Sequence, residues 1–109
     1  MIDQIKKQYY TIGEVAELLS ENASLIRYWH SQFEEIQPKK NRKGERIFTE
    51  KDIELLKNIH FLLKVKKMTI KGAKDIISGA NLKSMEKERQ MLEMLIKMRD
   101  FLLDLRNSL

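Results

Sequence analysis

Apolar residues recur along the chain in blocks with helical spacing, each ended by a polar or glycine-containing break. Ile12, Val15, Ala16 and Leu19 share one face of a first helix. Thr11 and Glu14 ahead of them have capping-box spacing, in which hydroxyl and carboxylate each satisfy an amide of the first turn. The stretch SENA breaks the pattern, and Asn22 is a good N-cap for a second helix over about 23–33. There Leu25, Ile26, Trp29 and Phe33 fall on one side. Ser24, Arg27, Tyr28 and Ser31 recur at i, i+3, i+4, i+7 on the other. Periodicity therefore turns Trp29 inward and Tyr28 outward, beside Arg27. Two short helices separated by about four residues make a helix-turn-helix pattern.

The next segment, IQPKKNRKGERIFT, is punctuated by Pro38 and Gly44. It reads as a short two-stranded wing over 38–48, with Gly44 near its tip supplying a positive φ. Thr49 caps a third helix, again with an acid three residues on, Asp52. Ile53, Leu56, Ile59, Leu62 and Leu63 make that helix apolar around much of its girth, which predicts a central position. KVKKM interrupts it. Thr69 caps a fourth helix with Ile70, Ala73, Ile76 and Ile77, and Gly79 is a natural stop. From about Leu82 the rest is one long helix. Met91, Leu95, Met98, Leu102, Leu105 and Leu109 alternate spacings of four and three, a heptad seam. Leu92, Ile96, Phe101 and Leu103 widen it. Such a helix must fold back on its own domain or pair with another chain; the seam favours a homodimer. The methionines read as gap fillers in core and seam.

Charge sharpens this picture. Of 109 residues, 21 are Lys or Arg and 16 are Asp or Glu, for a net +5. Residues 1–37 carry net −3, residues 38–51 net +4 and residues 52–79 net +3. A basic wing suits a polyanion, although a solvated loop would have the same composition. There are no cysteines, so disulfides and thiolate metal sites are excluded. His30 and His60 lack companion metal ligands, and no catalytic triad, phosphate loop or paired catalytic carboxylates can be assembled. Neither an enzyme nor a cofactor is expected. The polar MIDQIKKQYY start, read as a flexible leader over 1–8, has no signal-peptide core, and no apolar run reaches the ~20 residues of a membrane span. A cytoplasmic location without membrane attachment is expected.

Four blocks in order, YTIGEVAELL, RYW, PKKNRKGERIFTEKDI and MTIKGAKDII, closely resemble the DNA-binding domain of the MerR family of bacterial transcription regulators. The resemblance covers residues 9–79, and the chain is similar to short Bacteroidetes members that end at the following helix. It implies a mainly α fold: a winged helix-turn-helix over 9–79, then a dimerisation helix over 80–109 that pairs antiparallel with its mate. It implies a recognition helix in the major groove, with Arg27 and Tyr28 at the family's DNA-facing Arg-Tyr pair. Arg46 matches the arginine after the wing glycine, and Lys66 and Lys67 fall in a second, smaller wing. Thr11, Ser24, Ser31, Lys39, Lys40, Arg42 and Lys43 complete the expected DNA contacts. The sequence departs from the family pattern at Ser20, usually glycine, and at Glu21, usually apolar. It is also about two residues longer between His30 and Pro38. No effector domain and no sensing cysteines are carried over.

The implied function is a dimeric, sequence-specific regulator of a pseudo-palindromic double-stranded operator, with RNA polymerase a possible partner at the promoter. Two other readings stand beside it. One is a MerR-like protein adaptor of the chaperone-modulator type; intact Arg27-Tyr28 and the basic wing oppose it. The other is an excisionase-like DNA-bending accessory protein, which the long pairing helix opposes.

Overall fold

The computed structural model describes residues 8–109. Apart from Gln8, the leader expected over 1–8 lies outside the described residues. Along the chain run β1 (Tyr9–Thr11), α1 (Ile12–Leu19), α2 (Ala23–Gln32), β2 (Lys39–Lys40), β3 (Arg46–Thr49), α3 (Glu50–His60), a π-helical turn (Phe61–Val65), α4 (Ile70–Ser78) and α5 (Leu82–Asn107). This is the mainly α winged helix-turn-helix with a long C-terminal helix that the sequence implies.

Four helices begin on the caps visible in the sequence. Thr11 Oγ1 accepts from the Glu14 amide at 3.2 Å, while Glu14 Oε1 accepts from the Thr11 amide at 2.9 Å. Asn22 Oδ1 accepts from the Leu25 amide at 2.8 Å and Thr69 Oγ1 from the Gly72 amide at 3.1 Å. At α3 the Thr49/Asp52 box is complete. Each such bond satisfies an amide with no partner inside the helix.

The wing is part of a three-stranded antiparallel sheet of order β1-β3-β2, not a two-stranded hairpin alone. Tyr10 pairs with Phe48 and Lys40 with Arg46. Three residues are too few to show an alternating pattern, and β1 exists only through pairing with a strand far along the chain. The sheet ties the entry to α1 onto the wing.

Trp29, Phe33, Phe48, Ile26, Leu56 and Ile59 fill the core, as the phase of α2 requires. Ile36, from the longer α2–β2 connection, joins them at 2 % exposure. The third helix departs from a simple helical phase. Its π-helical turn accommodates one extra residue, which turns Phe61 inward at 4 % exposure and leaves Val65 at 49 %. Gly79 ends α4, as its place in the sequence predicts, with φ −108° in extended backbone. Glycine is needed there because a Cβ would lie 2.7 Å from the Asp75 carbonyl oxygen.

Ser20 is left-handed, at φ 55° between α1 and α2, the position where the resemblance calls for glycine. The neighbouring departure, Glu21, is also accounted for. Its carboxylate meets His60 Nε2 at 3.1 Å and Lys64 Nζ at 3.7 Å, bridging the α1–α2 turn to α3.

α5 is fastened to the domain by its first turns. Met85 is buried, and Arg89, 4 % exposed, donates to Asn58 Oδ1 at 2.8 Å, Glu93 Oε2 at 2.7 Å and Glu54 Oε2 at 3.0 Å. Asn58 in turn donates to Glu86 at 2.8 Å. Beyond Leu92 and Glu93 the helix is exposed on all sides in the single chain. Leu95, Met98, Leu102 and Leu105 are on that exposed length, Met91 is exposed just before it, and Leu109 lies past the helix end. Of the methionines, Met85 is core and Met68 half-buried, whereas Met91, Met94 and Met98 face outward.

Candidate nucleic-acid interface

The wing tip is built by local chemistry. Gly44 takes φ +80°, and its amide donates to the Asn41 carbonyl at 3.0 Å. Asn41 Oδ1 accepts from the amides of Lys43 (2.9 Å) and Glu45 (3.0 Å). Asparagine at the first turn position and a left-handed glycine three residues on form a tight hairpin that projects Arg42 and Lys43. Sequence reasoning placed Gly44 and missed Asn41, although the spacing of the pair was readable.

Two further residues hold the wing against the helices. Asp52, 5 % exposed, accepts from the Thr49 amide and hydroxyl through Oδ2, both at 3.0 Å. Its Oδ1 accepts from the Gln37 amide at 3.2 Å, just before β2. His30, on α2, meets the Phe48 ring edge-on at 6.3 Å. Its pKa is lowered by burial and then by Arg46, partly opposed by Asp52.

On this scaffold Thr11, Arg27, Lys40 and Arg46 come together around one concavity of about 440 Å³, with Ile12, Gly44 and Glu45 completing the lining. The start of α1, the outward face of α2 and the wing therefore share one surface. Thr11 does double service, since its hydroxyl also caps α1. Arg27 does not pair with Glu34 or Glu35 just past its own helix end: among the described residues no carboxylate lies within 4 Å of Arg27, Lys39, Lys40, Arg42, Lys43 or Arg46. Unneutralised cations on a concave surface attract a polyanion.

The other expected residues are disposed around it. Ser24, Arg27, Tyr28 and Ser31 are all exposed, with Tyr28 at 49 %, while Ile26 and Trp29 behind them are buried. Ser31 donates its hydroxyl proton to the Tyr28 carbonyl at 2.6 Å, which leaves that oxygen to act as an acceptor. Lys39 lies over the Tyr9 ring at 5.8 Å. Lys66 and Lys67 follow the π-helical turn and do not join the concavity. Lys66 is ion-paired to Glu88 of α5, and Lys67 has φ 59° and is exposed.

Among the described residues no group of three or more His, Cys, Asp or Glu could hold a metal, and no helix is long and apolar enough to cross a membrane.

Comparison with known proteins agrees with this architecture. The chain is 41% identical over 71 residues to the regulator protein TubY of Clostridium botulinum C phage, a match covering 65% of this chain and 30% of TubY. The structure is similar to that of HiNmlR, a MerR family regulator lacking the sensor domain, bound to promoter DNA. That match has TM-score 0.54 and 21% identity, over 92% of this chain and 88% of HiNmlR. A MerR family transcriptional regulator from Bacillus thuringiensis matches with TM-score 0.47 and 27% identity, over 92% of this chain and 96% of its own. The profile of the MerR HTH family of regulatory proteins matches residues 10–80, through both helices of the helix-turn-helix, the wing and α4. The chain belongs to the MerR family of DNA-binding transcription regulators.

Proposed function

We propose that the protein acts as a homodimer on specific double-stranded DNA, with α2 in the major groove and the wing over 38–48 on the flanking duplex. The observation that carries this reading is the concavity gathering Thr11, Arg27, Lys40 and Arg46 from α1, α2 and the wing, its cations without carboxylate partners among the described residues. Arg27 offers a rigid two-pronged donor to a phosphate, and the Tyr28 hydroxyl a second donor beside it. Ser24 and Ser31 face the base edges. Ser31, with its proton already committed, accepts rather than donates. Lys39, Lys40, Arg42, Lys43 and Arg46 grip flanking phosphates, and Lys66 and Lys67 reach the backbone from the second loop once Lys66 leaves Glu88.

The seam Met91, Leu95, Met98, Leu102, Leu105 and Leu109 pairs two chains antiparallel, so that two recognition helices meet a pseudo-palindromic operator. The protein works in the cytoplasm, and RNA polymerase is its partner at the promoter. Selecting bound fragments from a genomic library tests the reading. Recovery of a short two-fold motif, bound by a protein that sediments as a dimer, supports it. Failure to retain any duplex, random DNA at low salt included, would leave the protein-adaptor reading in its place.

A further inference from the structure

One side chain of the cationic concavity has the wrong sign for a phosphate surface. Glu45 lines it together with Arg27, Lys40 and Arg46. Among the described residues no ion pair joins its carboxylate to any of these cations. Asn41 fixes it instead, from across the hairpin. The Asn41 amide donates to the Glu45 carbonyl at 3.0 Å, and Asn41 Oδ1 accepts from the Glu45 amide at 3.0 Å. Asn41 Nδ2 then donates to Glu45 Oε1 at 3.1 Å. The wing-tip turn therefore orients backbone and carboxylate together, one residue past left-handed Gly44. The side chain is exposed, so the carboxylate can meet a ligand entering the concavity.

A carboxylate finds few partners on a duplex. It has acceptors only, and the phosphates repel it. What it can accept from is the exocyclic amino group of a base. In the major groove these are cytosine N4 and adenine N6, and adenine sets its N7 acceptor beside the amine, where it opposes a carboxylate. Cytosine is the better partner there. In the minor groove an A·T pair shows acceptors alone, and the guanine N2 amine is the donor. Both grooves lead to a G·C pair.

We propose that Glu45 is a specificity-determining residue: its carboxylate accepts from the exocyclic amine of a G·C pair in the duplex under the wing, and penalises DNA that lacks one there. The inference rests on the DNA-binding reading and adds a base preference to a wing otherwise made of phosphate contacts. Arg27, Lys40 and Arg46 attract any duplex. A negative charge held among them weakens every complex by repelling the backbone, and only a base that offers a donor offsets the loss. Discrimination then comes from the repulsive group as much as from the attractive contact.

Glu45→Gln tests this, because it removes the charge and keeps an oxygen that can accept from Asn41 Nδ2, so the turn is preserved. Full-length wild type and variant each select from a synthetic library of random duplexes. Both are then titrated on the duplex recovered by wild type, on versions with each flanking G·C pair changed to A·T, and on random duplex, with thermal melts as the folding control. Asp104→Asn, an exposed carboxylate on the far part of α5, controls for the loss of one negative charge. Wild type should select a G·C pair in the flank, and its change to A·T should weaken wild-type binding by about 5- to 150-fold. Glu45→Gln should lose most of that discrimination and bind random duplex more tightly than Asp104→Asn does. A flank with no base preference, or a preference that Glu45→Gln retains, would overturn the inference and leave the DNA-binding reading standing. Weaker binding of Glu45→Gln to every duplex would make Glu45 a prop of the wing turn and would overturn it too. Failure of wild type to retain any duplex at low salt would overturn both.

Discussion

Replacing Arg89 with methionine should loosen α5 from the domain by a calculable amount. The side chain is 4 % exposed and makes three hydrogen bonds of 2.7–3.0 Å, to Asn58, Glu93 and Glu54. Methionine keeps most of the volume of the aliphatic stem, so the cavity term is small. What remains depends on the partners. Removing one member of a fully buried ion pair costs ~3–5 kcal/mol because a buried charge is left alone. Here the Glu54 and Glu93 side chains are 49 % and 45 % exposed, so both carboxylates return to water at little cost. Only Asn58, 2 % exposed, is left with an unpaired oxygen, a penalty of ~1–3 kcal/mol. For a domain of this size that lowers Tm by roughly 5–20 °C. Thermal melts by circular dichroism at several protein concentrations measure it while holding mass action in view. A second change, Asn58→Leu, removes the stranded oxygen and should restore part of the loss. A drop of less than a degree or two would refute the idea that this cluster fastens the helix. A loss near 5 kcal/mol would mean that the carboxylates are not solvated as their exposure indicates.

Ser20→Gly should raise stability by ~0.5–1 kcal/mol in a denaturant titration, because serine at φ 55° bears a left-handed penalty that glycine avoids; an unchanged or lower midpoint would contradict the strain. His30 has its pKa held below the ordinary 6.5 by burial and Arg46, so between the two values the unfolded chain binds the extra proton. Stability should therefore be flat above about pH 6.5 and fall as pH drops below it, and His30→Gln should flatten that acid limb in melts between pH 7 and about 5.5.

The local chemistry of this fold is written in its sequence. Thr11 with Glu14, Asn22, Thr49 with Asp52 and Thr69 each act over three residues, and each caps the helix it precedes. The phase of α2 is equally legible, because Trp29 and Arg27 sit two residues apart on a regular helix and must face different ways. What escaped was set by distant partners. β1 has three residues and no period of its own; its strand character comes from β3, nearly forty residues on. Arg89 looks like any charged residue on a surface helix until Asn58 and Glu54 are placed beneath it. Phe61 turns inward only because of a π-helical turn, which no apolar spacing announced. At the interface, the outward set on α2 and the wing cations could be read from period and charge. That Thr11, Arg27, Lys40 and Arg46 meet at one concavity depends on the sheet joining β1 to the wing.

The proposed function needs α2 and the wing to face DNA, and Arg27 tests this most directly. Its guanidinium is exposed and has no carboxylate partner among the described residues, while Ile26 and Trp29 on either side of its helix turn are buried. Arg27→Ala should therefore leave the melt unchanged. The measurement is a salt titration of wild type and variant on the selected operator and on random duplex. A phosphate contact predicts weaker binding to both, with the slope of log K against log salt reduced by about 0.9. Loss of ~1–3 kcal/mol on the operator alone would assign Arg27 to a guanine instead. Unchanged affinity on both duplexes, with an intact melt, would contradict the DNA-facing assignment of α2 itself.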